Sequence, residues 1–243
     1  MYAVLSTVLI IALIGILDDL LLLDQKIKAV LPIFAALPLV ALRVGVTEMT
    51  FPGVGSIPLG PIYYLVLIPL AITGASNAMN MLAGFNGLEA GLGIIMCAAV
   101  AAASYMTGSS EALIISVAML GALIGFMKYN WHPAKILIGD VGTLSIGAVI
   151  ASTVIIGNIE RVGIILIIPF FLELILKAKS RFKAESWHKV KKDKLVCENW
   201  CEVYGWGRLI MKLTGGVTEP RLVLTILGVE VVFAALAVWS VIG

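Results

Sequence analysis

Three short stretches of the chain hold the residues that could do chemistry. The first is Gly15-Ile-Leu-Asp18-Asp19, where a long apolar run ends on two adjacent carboxylates. A helix ending there opposes negative charge with its dipole, and a carboxylate close to lipid costs free energy. The pair therefore reads either as a solvated stop signal or as a site for a metal or a substrate phosphate, with a base to spare. The second stretch is Asn77-Ala-Met-Asn80-Met-Leu-Ala-Gly-Phe-Asn86-Gly-Leu-Glu89. Asn77 and Asn80 are three apart and share a helix face, and amides can bind a hard cation or a phosphate without adding negative charge. Asn86 followed by Glu89 reads equally well as an N-cap with its capping-box partner, which leaves Asn77 and Asn80 unexplained. The third stretch runs from Tyr129 through Asn130-Trp-His-Pro133 to Gly139-Asp140-Val-Gly142. Asp140 either caps the helix that follows or holds Mg²⁺ beside a phosphate, with glycines on either side permitting close approach.

Cations complete the inventory. Lys28 lies ten residues after Asp18, and Arg181, Lys183 and His188 fall in a basic segment; each taken alone is an ordinary surface charge. Glu173 and Glu230 are the acids placed deepest in apolar runs, and nothing in the sequence assigns them a task. Cys97, Cys197 and Cys201 have no His or Cys partners at zinc spacing.

The elements that must position these residues are membrane spans. The chain has 243 residues, 60% hydrophobic and 13% charged, with a mean hydropathy of +1.07. That composition excludes a soluble enzyme, a disordered chain and a nucleic-acid binder. No charged residue occurs between Glu48 and Glu89. Continuous apolar runs, not alternating ones, exclude a barrel and specify an all-α polytopic membrane protein. There is room for about eight spans of roughly 20 residues, read here as Tyr2–Leu17, Ala29–Gly45, Gly60–Asn77, Leu88–Met106, Ala112–Met127, Gly142–Ile156, Val162–Leu176 and Leu222–Ile242. The first apolar run begins at Met1 without a basic segment before it or a cleavage site after it, so no signal peptide is expected.

With eight spans, connections alternate between two sides. Of the 17 Lys and Arg, only Arg43 and Arg161 fall on one of them. The positive-inside rule makes the other side cytoplasmic. That side carries all three motif stretches and the one sizeable extramembrane segment, Lys177–Arg221, within an otherwise single integral membrane domain. This segment reads as a polybasic stretch near anionic headgroups or as a cap over an active site. Its Trp200–Trp206 part suggests a short hairpin, followed by an interfacial amphipathic turn around Leu209–Leu213. A transporter would place ionisable residues near mid-bilayer, whereas these gather at one face. A non-catalytic membrane subunit stays open as an alternative.

Together the Asp pair, the asparagine motif and the Asn130-Trp-x-Pro133 to Gly139-Asp140 stretch resemble, in this order, the polyprenyl-phosphate N-acetylhexosamine-1-phosphate transferases (glycosyltransferase family 4). The asparagine motif and the Asn-Trp-x-Pro stretch are most similar to the dolichyl-phosphate GlcNAc-1-phosphotransferase branch. The resemblance implies ten spans in the whole family fold, this chain beginning at the third. It implies Mg²⁺-dependent transfer of GlcNAc-1-phosphate from UDP-GlcNAc to a polyprenyl or dolichyl phosphate, releasing UMP, as the first step of lipid-linked oligosaccharide assembly. Carried over by position, it implies catalytic roles for Asp18, Asp19 and Lys28, and Mg²⁺ ligands at Asn80 and Asp140. It also implies a phosphate-side role for Asn77, a uracil contact at Asn86, and sugar-diphosphate contacts from Arg181, Lys183 and His188. Expected partners are UDP-GlcNAc, the lipid phosphate and the membrane (archaeal plasma membrane or ER), with no nucleic acid; a homodimer is left open.

Overall fold

The computed structural model describes residues 1–51, 55–180, 189–191 and 194–242. The chain opens with α1 (Tyr2–Leu21), then three short helices, α2 (Gln25–Val30), α3 (Pro32–Ala35) and α4 (Leu37–Ala41). A two-stranded antiparallel hairpin follows, β1 (Glu48–Phe51) with β2 (Gly55–Pro58). A π-helical turn at Tyr63–Leu67 leads into α5 (Ile68–Met81). Then come α6 (Leu88–Thr107), α7 (Ser110–Asn130), α8 (Gly139–Ile156) and α9 (Glu160–Ala178). A second small hairpin pairs β3 (Lys189–Lys191) with β4 (Lys194–Val196), and α10 (Trp206–Thr214) and α11 (Glu219–Ile242) close the chain.

Six helices among the described residues are long and apolar enough to cross a membrane: Tyr2–Leu21, Tyr63–Met81, Leu88–Thr107, Ser110–Asn130, Gly139–Ile156 and Glu219–Ile242. The polytopic all-α class expected from sequence is the one found, and two of the eight expected spans take another form. Ala29–Gly45 is not one helix. Pro32 and Pro38 lack an amide hydrogen and begin new helices at α3 and α4, so the run breaks at Leu31 and Ala36. The seventh span is present as the 19-residue α9, but it carries Glu160, Arg161, Glu173 and Lys177 and has Pro169 inside it. The last loop also differs from expectation. Trp200–Glu202 is a single 3₁₀ turn and the hairpin lies earlier, at β3–β4. The amphipathic element is a full nine-residue helix, α10, whose Ile210 and Met211 are buried while Leu213 is exposed.

The bundle is organised around α8. Of its span, 67% is buried, against 22% for the peripheral α7. α1 and α5 pack on one side of α8, and α6, α7 and α9 also touch it. Two glycines set the closest approaches. A Cβ on Gly15 would lie 2.4 Å from the Cα of Val141, and one on Gly147 would lie 2.3 Å from the carbonyl oxygen of Ala75. In both cases the obstacle is backbone, which cannot rotate away. Without a hydrophobic drive between helices in lipid, such small-residue contacts supply the dispersion attraction that holds spans together. They also bring the C-terminal ends of α1 and α5 and the N-terminal end of α8 within hydrogen-bonding reach of one another.

Gly147→Val should therefore force α5 from α8. Overpacking of this kind costs about 1–3 kcal/mol, which would appear as a lower midpoint of thermal unfolding in detergent. Gly125→Ala, at a position with nothing within 4 Å, should leave the midpoint unchanged or raise it. Equal midpoints for the two variants would mean that the α5–α8 contact does not limit stability.

Candidate active site

Polar side chains from α1, α2, α5 and α8 converge where these helices end. Lys28, in the last turn of α2, is the hub. Its Nζ lies 2.5 Å from Asp18 Oδ2 and donates to Asp140 Oδ2. Asn80 Nδ2 donates to Asp140 Oδ1 and to Thr143 Oγ1, the latter at 2.9 Å. Asp18 Oδ1 accepts from the Leu23 amide at 3.0 Å, which pairs a backbone N–H just beyond the C-terminus of α1. The Asp18 carboxyl is almost fully enclosed. Burial works against the Lys28 ammonium, but the Asp140 and Asp18 carboxylates outweigh it and hold its pKa above the ordinary lysine value.

Asp19 faces elsewhere. Its Oδ1 accepts from the Asp140 amide at 2.9 Å and its Oδ2 from the Val141 amide at 3.1 Å. It thus caps the N-terminus of α8 from another helix, where the dipole favours a carboxylate. The position that would ordinarily cap α8 is Ile138, which has no side-chain acceptor to offer. Asp140 is consequently free of capping. It stands in the first turn with its carboxylate turned to Lys28 and Asn80.

The asparagine motif divides between two places. Asn77 Nδ2 donates to the Thr73 and Ala29 carbonyls at 2.9 and 3.1 Å, tying α5 to the end of α2. Asn86 does not cap α6: the cap position is Gly87, at φ +80°, and the capping-box reading gives way. Glu89 still reaches back, but to the Gly84 amide at 2.6 Å. The Asn86 amide hydrogen goes to Glu219 Oε1 at 2.7 Å, and its Nδ2 sits 3.2 Å from His132 Nδ1. Arg181, Lys183 and His188, expected at the sugar-diphosphate, lie outside the described residues.

Several residues of this face were given no role from the sequence. Thr143 follows Asp140 by three, so helical spacing alone puts it on the same face. Glu173, which had no assigned task, accepts from the Trp206 amide at 2.7 Å and lies 3.5 Å from Lys177 Nζ. Lys177 in turn donates to the Met81 carbonyl at the end of α5. His132 and Glu219 carried no signal, being single polar residues in loops or at a helix start.

A divalent cation here would take its ligands from side-chain oxygens. Among the described residues no group of three His, Cys, Asp or Glu could by itself hold a metal ion. Asp18 and Asp140 supply two carboxylates, Asn80 an amide and Thr143 a hydroxyl, and the buried Asp18 Oδ2 has the Lys28 ammonium beside it. Mg²⁺ is commonly held by one or two carboxylates, with waters and substrate phosphates completing its shell. The residues present fit that cation.

Removing the Lys28 charge leaves the buried Asp18 carboxylate facing the part-exposed carboxylate of Asp140. Lys28→Gln should destabilise the detergent-solubilised chain in EDTA by about 3 kcal/mol, as expected when one partner of a buried pair is lost. Adding Asp18→Asn should return part of that loss. A double variant no more stable than Lys28→Gln alone would count against the charge balance described here.

The sequence profile described as "Glycosyl transferase family 4" matches residues 1–158. A Sulfolobus acidocaldarius protein, provisionally named UDP-N-acetylglucosamine–dolichyl-phosphate N-acetylglucosaminephosphotransferase, is 37% identical over 97% of this chain and 72% of its own length. A Saccharolobus solfataricus protein with the same provisional name is 38% identical over 97% of this chain and 73% of its own length. A phospho-N-acetylmuramoyl-pentapeptide-transferase from Halalkalibacterium halodurans is 36% identical over 79% of this chain and 56% of its own length. The matched residues include α1, α5 and α8, whose ends carry Asp18, Asn80 and Asp140. With the profile covering residues 1–158 and two archaeal relatives matching it almost end to end, this chain of apolar, membrane-length helices belongs to glycosyl transferase family 4.

Proposed function

We propose that the chain transfers N-acetylglucosamine-1-phosphate from UDP-GlcNAc to a polyprenyl phosphate, dolichyl phosphate in particular, as the first step of lipid-linked oligosaccharide assembly. The observation that carries this reading is the junction of Lys28, Asp18, Asp140 and Asn80 at the ends of four helices. It is a cluster of cation, carboxylates and amide at one membrane face. A lipid phosphate can reach such a face from the bilayer and a nucleotide can reach it from water. The names of the archaeal relatives support the same donor and acceptor.

In this reading an oxygen of the lipid phosphate attacks the β-phosphorus of UDP-GlcNAc. The bond from that phosphorus to the bridging oxygen breaks, UMP leaves, and the sugar stays on its phosphate as lipid-diphospho-GlcNAc. Phosphoryl transfer asks mainly for alignment and charge neutralisation. Mg²⁺ held by Asp140 and Asn80 would neutralise the diphosphate and stabilise the leaving UMP. Lys28 supplies a second positive charge and orients Asp140. Asp18 accepts the proton of the acceptor phosphate, so that the attacking oxygen is ionised, or orients that phosphate for attack. Asp19 acts through Asp140: by capping α8 it fixes where that carboxylate stands. Asn77 braces α5 against α2 on the phosphate side, Asn86 reads the uracil, and Arg181, Lys183 and His188 meet the sugar-diphosphate. The excess of Lys and Arg on the connections at this face supports its lying in the cytoplasm.

Release of UMP from UDP-GlcNAc by the purified chain, dependent on both dolichyl phosphate and Mg²⁺, tests the reaction. Asp140→Asn and Asp18→Asn should each lower kcat by two or more orders of magnitude while thermal stability stays within a few degrees of the parent. Asp19→Ala should lose about 1 kcal/mol of stability as a lost cap does and lose activity with it, and Asp19→Asn, which still offers an acceptor, should recover much of both. Parent-like turnover in Asp140→Asn would defeat the assignment of that carboxylate. Orientation is checked separately: a cysteine placed at Ser110 should be labelled from outside in intact cells and one placed at Lys135 should not, and the reverse pattern would move the site to the outer face.

A further inference from the structure

His132 and Glu219 lie outside the three motif stretches' expected site residues, yet both converge on Asn86. Glu219 stands in the first turn of α11, 133 residues away, and its Oε1 accepts the Asn86 backbone N–H at 2.7 Å. His132 follows Trp131 in the connection between α7 and α8, and its Nδ1 lies 3.2 Å from Asn86 Nδ2. Glu219 Oε2 is 3.5 Å from the same Nδ1. The Asn86 backbone is thereby fixed by one partner and its side-chain amide is met by another.

An amide has two unlike ends: Nδ2 donates and Oδ1 accepts. Nδ2 can donate to His132 only if Nδ1 carries no hydrogen, which leaves that nitrogen with nothing to give Glu219. With Nδ2 so engaged, Oδ1 is the end left for a ligand, and no described contact uses it. An acceptor at that point matches the imide N3–H of uracil. It mismatches cytosine, whose N3 is itself an acceptor, so that two lone pairs would face each other without a proton between them. Buried or half-buried polar groups left unpaired in this way are what give strong discrimination between near-identical ligands.

We infer that His132 is a specificity-determining residue: by holding Asn86 Nδ2 it turns Oδ1 toward the nucleobase and so selects uridine over cytidine nucleotides. The inference rests on the reading of Asn86 as the base-contacting residue and adds the group that sets its polarity. His132 touches no substrate in this account. It is a positioning residue, and Glu219 anchors the loop on which it acts.

The experiment measures UMP and CMP affinity by titration calorimetry on the full chain in detergent, for the parent, His132→Phe, Glu219→Gln and Asn86→Ala. The parent should prefer UMP by a hundredfold or more. His132→Phe keeps a ring of similar size but cannot accept, so the Asn86 amide is free to turn over. Its UMP to CMP ratio should fall at least tenfold, chiefly through tighter CMP binding. Glu219→Gln keeps an amide oxygen for the Asn86 N–H, and its ratio should stay within about threefold of the parent. A variant that merely loosened the fold would weaken both nucleotides together and leave the ratio intact, which would overturn the inference. So would a parent preference for CMP, since it would mean that Nδ2 faces the base. Asn86→Ala separates this inference from the reading beneath it. If it leaves UMP affinity and the ratio unchanged, Asn86 does not meet the base at all. If it collapses the ratio while His132→Phe preserves it, the base site stands and the role of His132 falls.

Discussion

A single lysine holds the site together because of where helix ends place negative charge. α1 delivers Asp18 and Asp19 at its C-terminus, the end at which backbone carbonyls already make a carboxylate unwelcome. The two are relieved differently. Asp19 turns to the exposed amides of α8, whose N-terminus attracts the charge that α1 repels. Asp18 cannot share those amides and is enclosed, so it depends on the Lys28 ammonium, which also serves Asp140. Antiparallel packing of α1 on α8 is therefore an electrostatic arrangement as well as a steric one. The close contact at Gly15 brings the backbones near enough for the capping bonds to form.

From that junction the geometry of the site follows. α5 runs toward the same face and ends with Asn80 against Asp140 and Thr143, and its approach to α8 is set by Gly147. α2 is short because Pro32 starts a new helix after it. The Pro-broken segment is thus useful: a continuous span beginning at Ala29 would fix the direction of the preceding turn, while the interrupted one lets Lys28 fold back between the two acids.

The residues at span ends were legible in the sequence because few polar residues occur in so apolar a chain, and their types and spacing stand out against it. Asp18, Asn80 and Asp140 were named from that contrast, and the structure brings them to one place with Lys28. What the sequence did not disclose is who bonds to whom. Asp19 was read together with Asp18, since adjacency hides the fact that neighbouring side chains on a helix point about 100° apart. Asn86 and Glu89 have capping-box spacing, but Gly87 at positive φ takes the cap and releases Asn86 to a partner 46 residues on. Hydropathy counted Ala29–Gly45 as a span because the average over a window is blind to where its prolines fall. The hairpin in the last loop was misplaced for a related reason: Trp, Tyr and Gly between residues 200 and 206 suit a turn of either kind, and tertiary contact with Glu173 decided in favour of a helix start.

Four of the long-range polar contacts at this face share one form, and the form has a physical cause. Glu219 reaches the Asn86 amide, Glu173 the Trp206 amide, Lys177 the Met81 carbonyl and Asp19 the first amides of α8. In each, a charged side chain meets a backbone group that a helix end or loop leaves unpaired. Where water is scarce such groups need partners, and a charged partner gives a stronger bond than a neutral one. The membrane thus supplies the reason for loops that are tied down at named atoms instead of left to solvent. On the proposed function, the Asp140–Asn80 junction and the loop that carries Asn86 have to be held in fixed relation. Side chains that satisfy backbone groups at helix ends and in loops would maintain that relation, so stability of the helix ends and alignment of the site would rest on the same interactions.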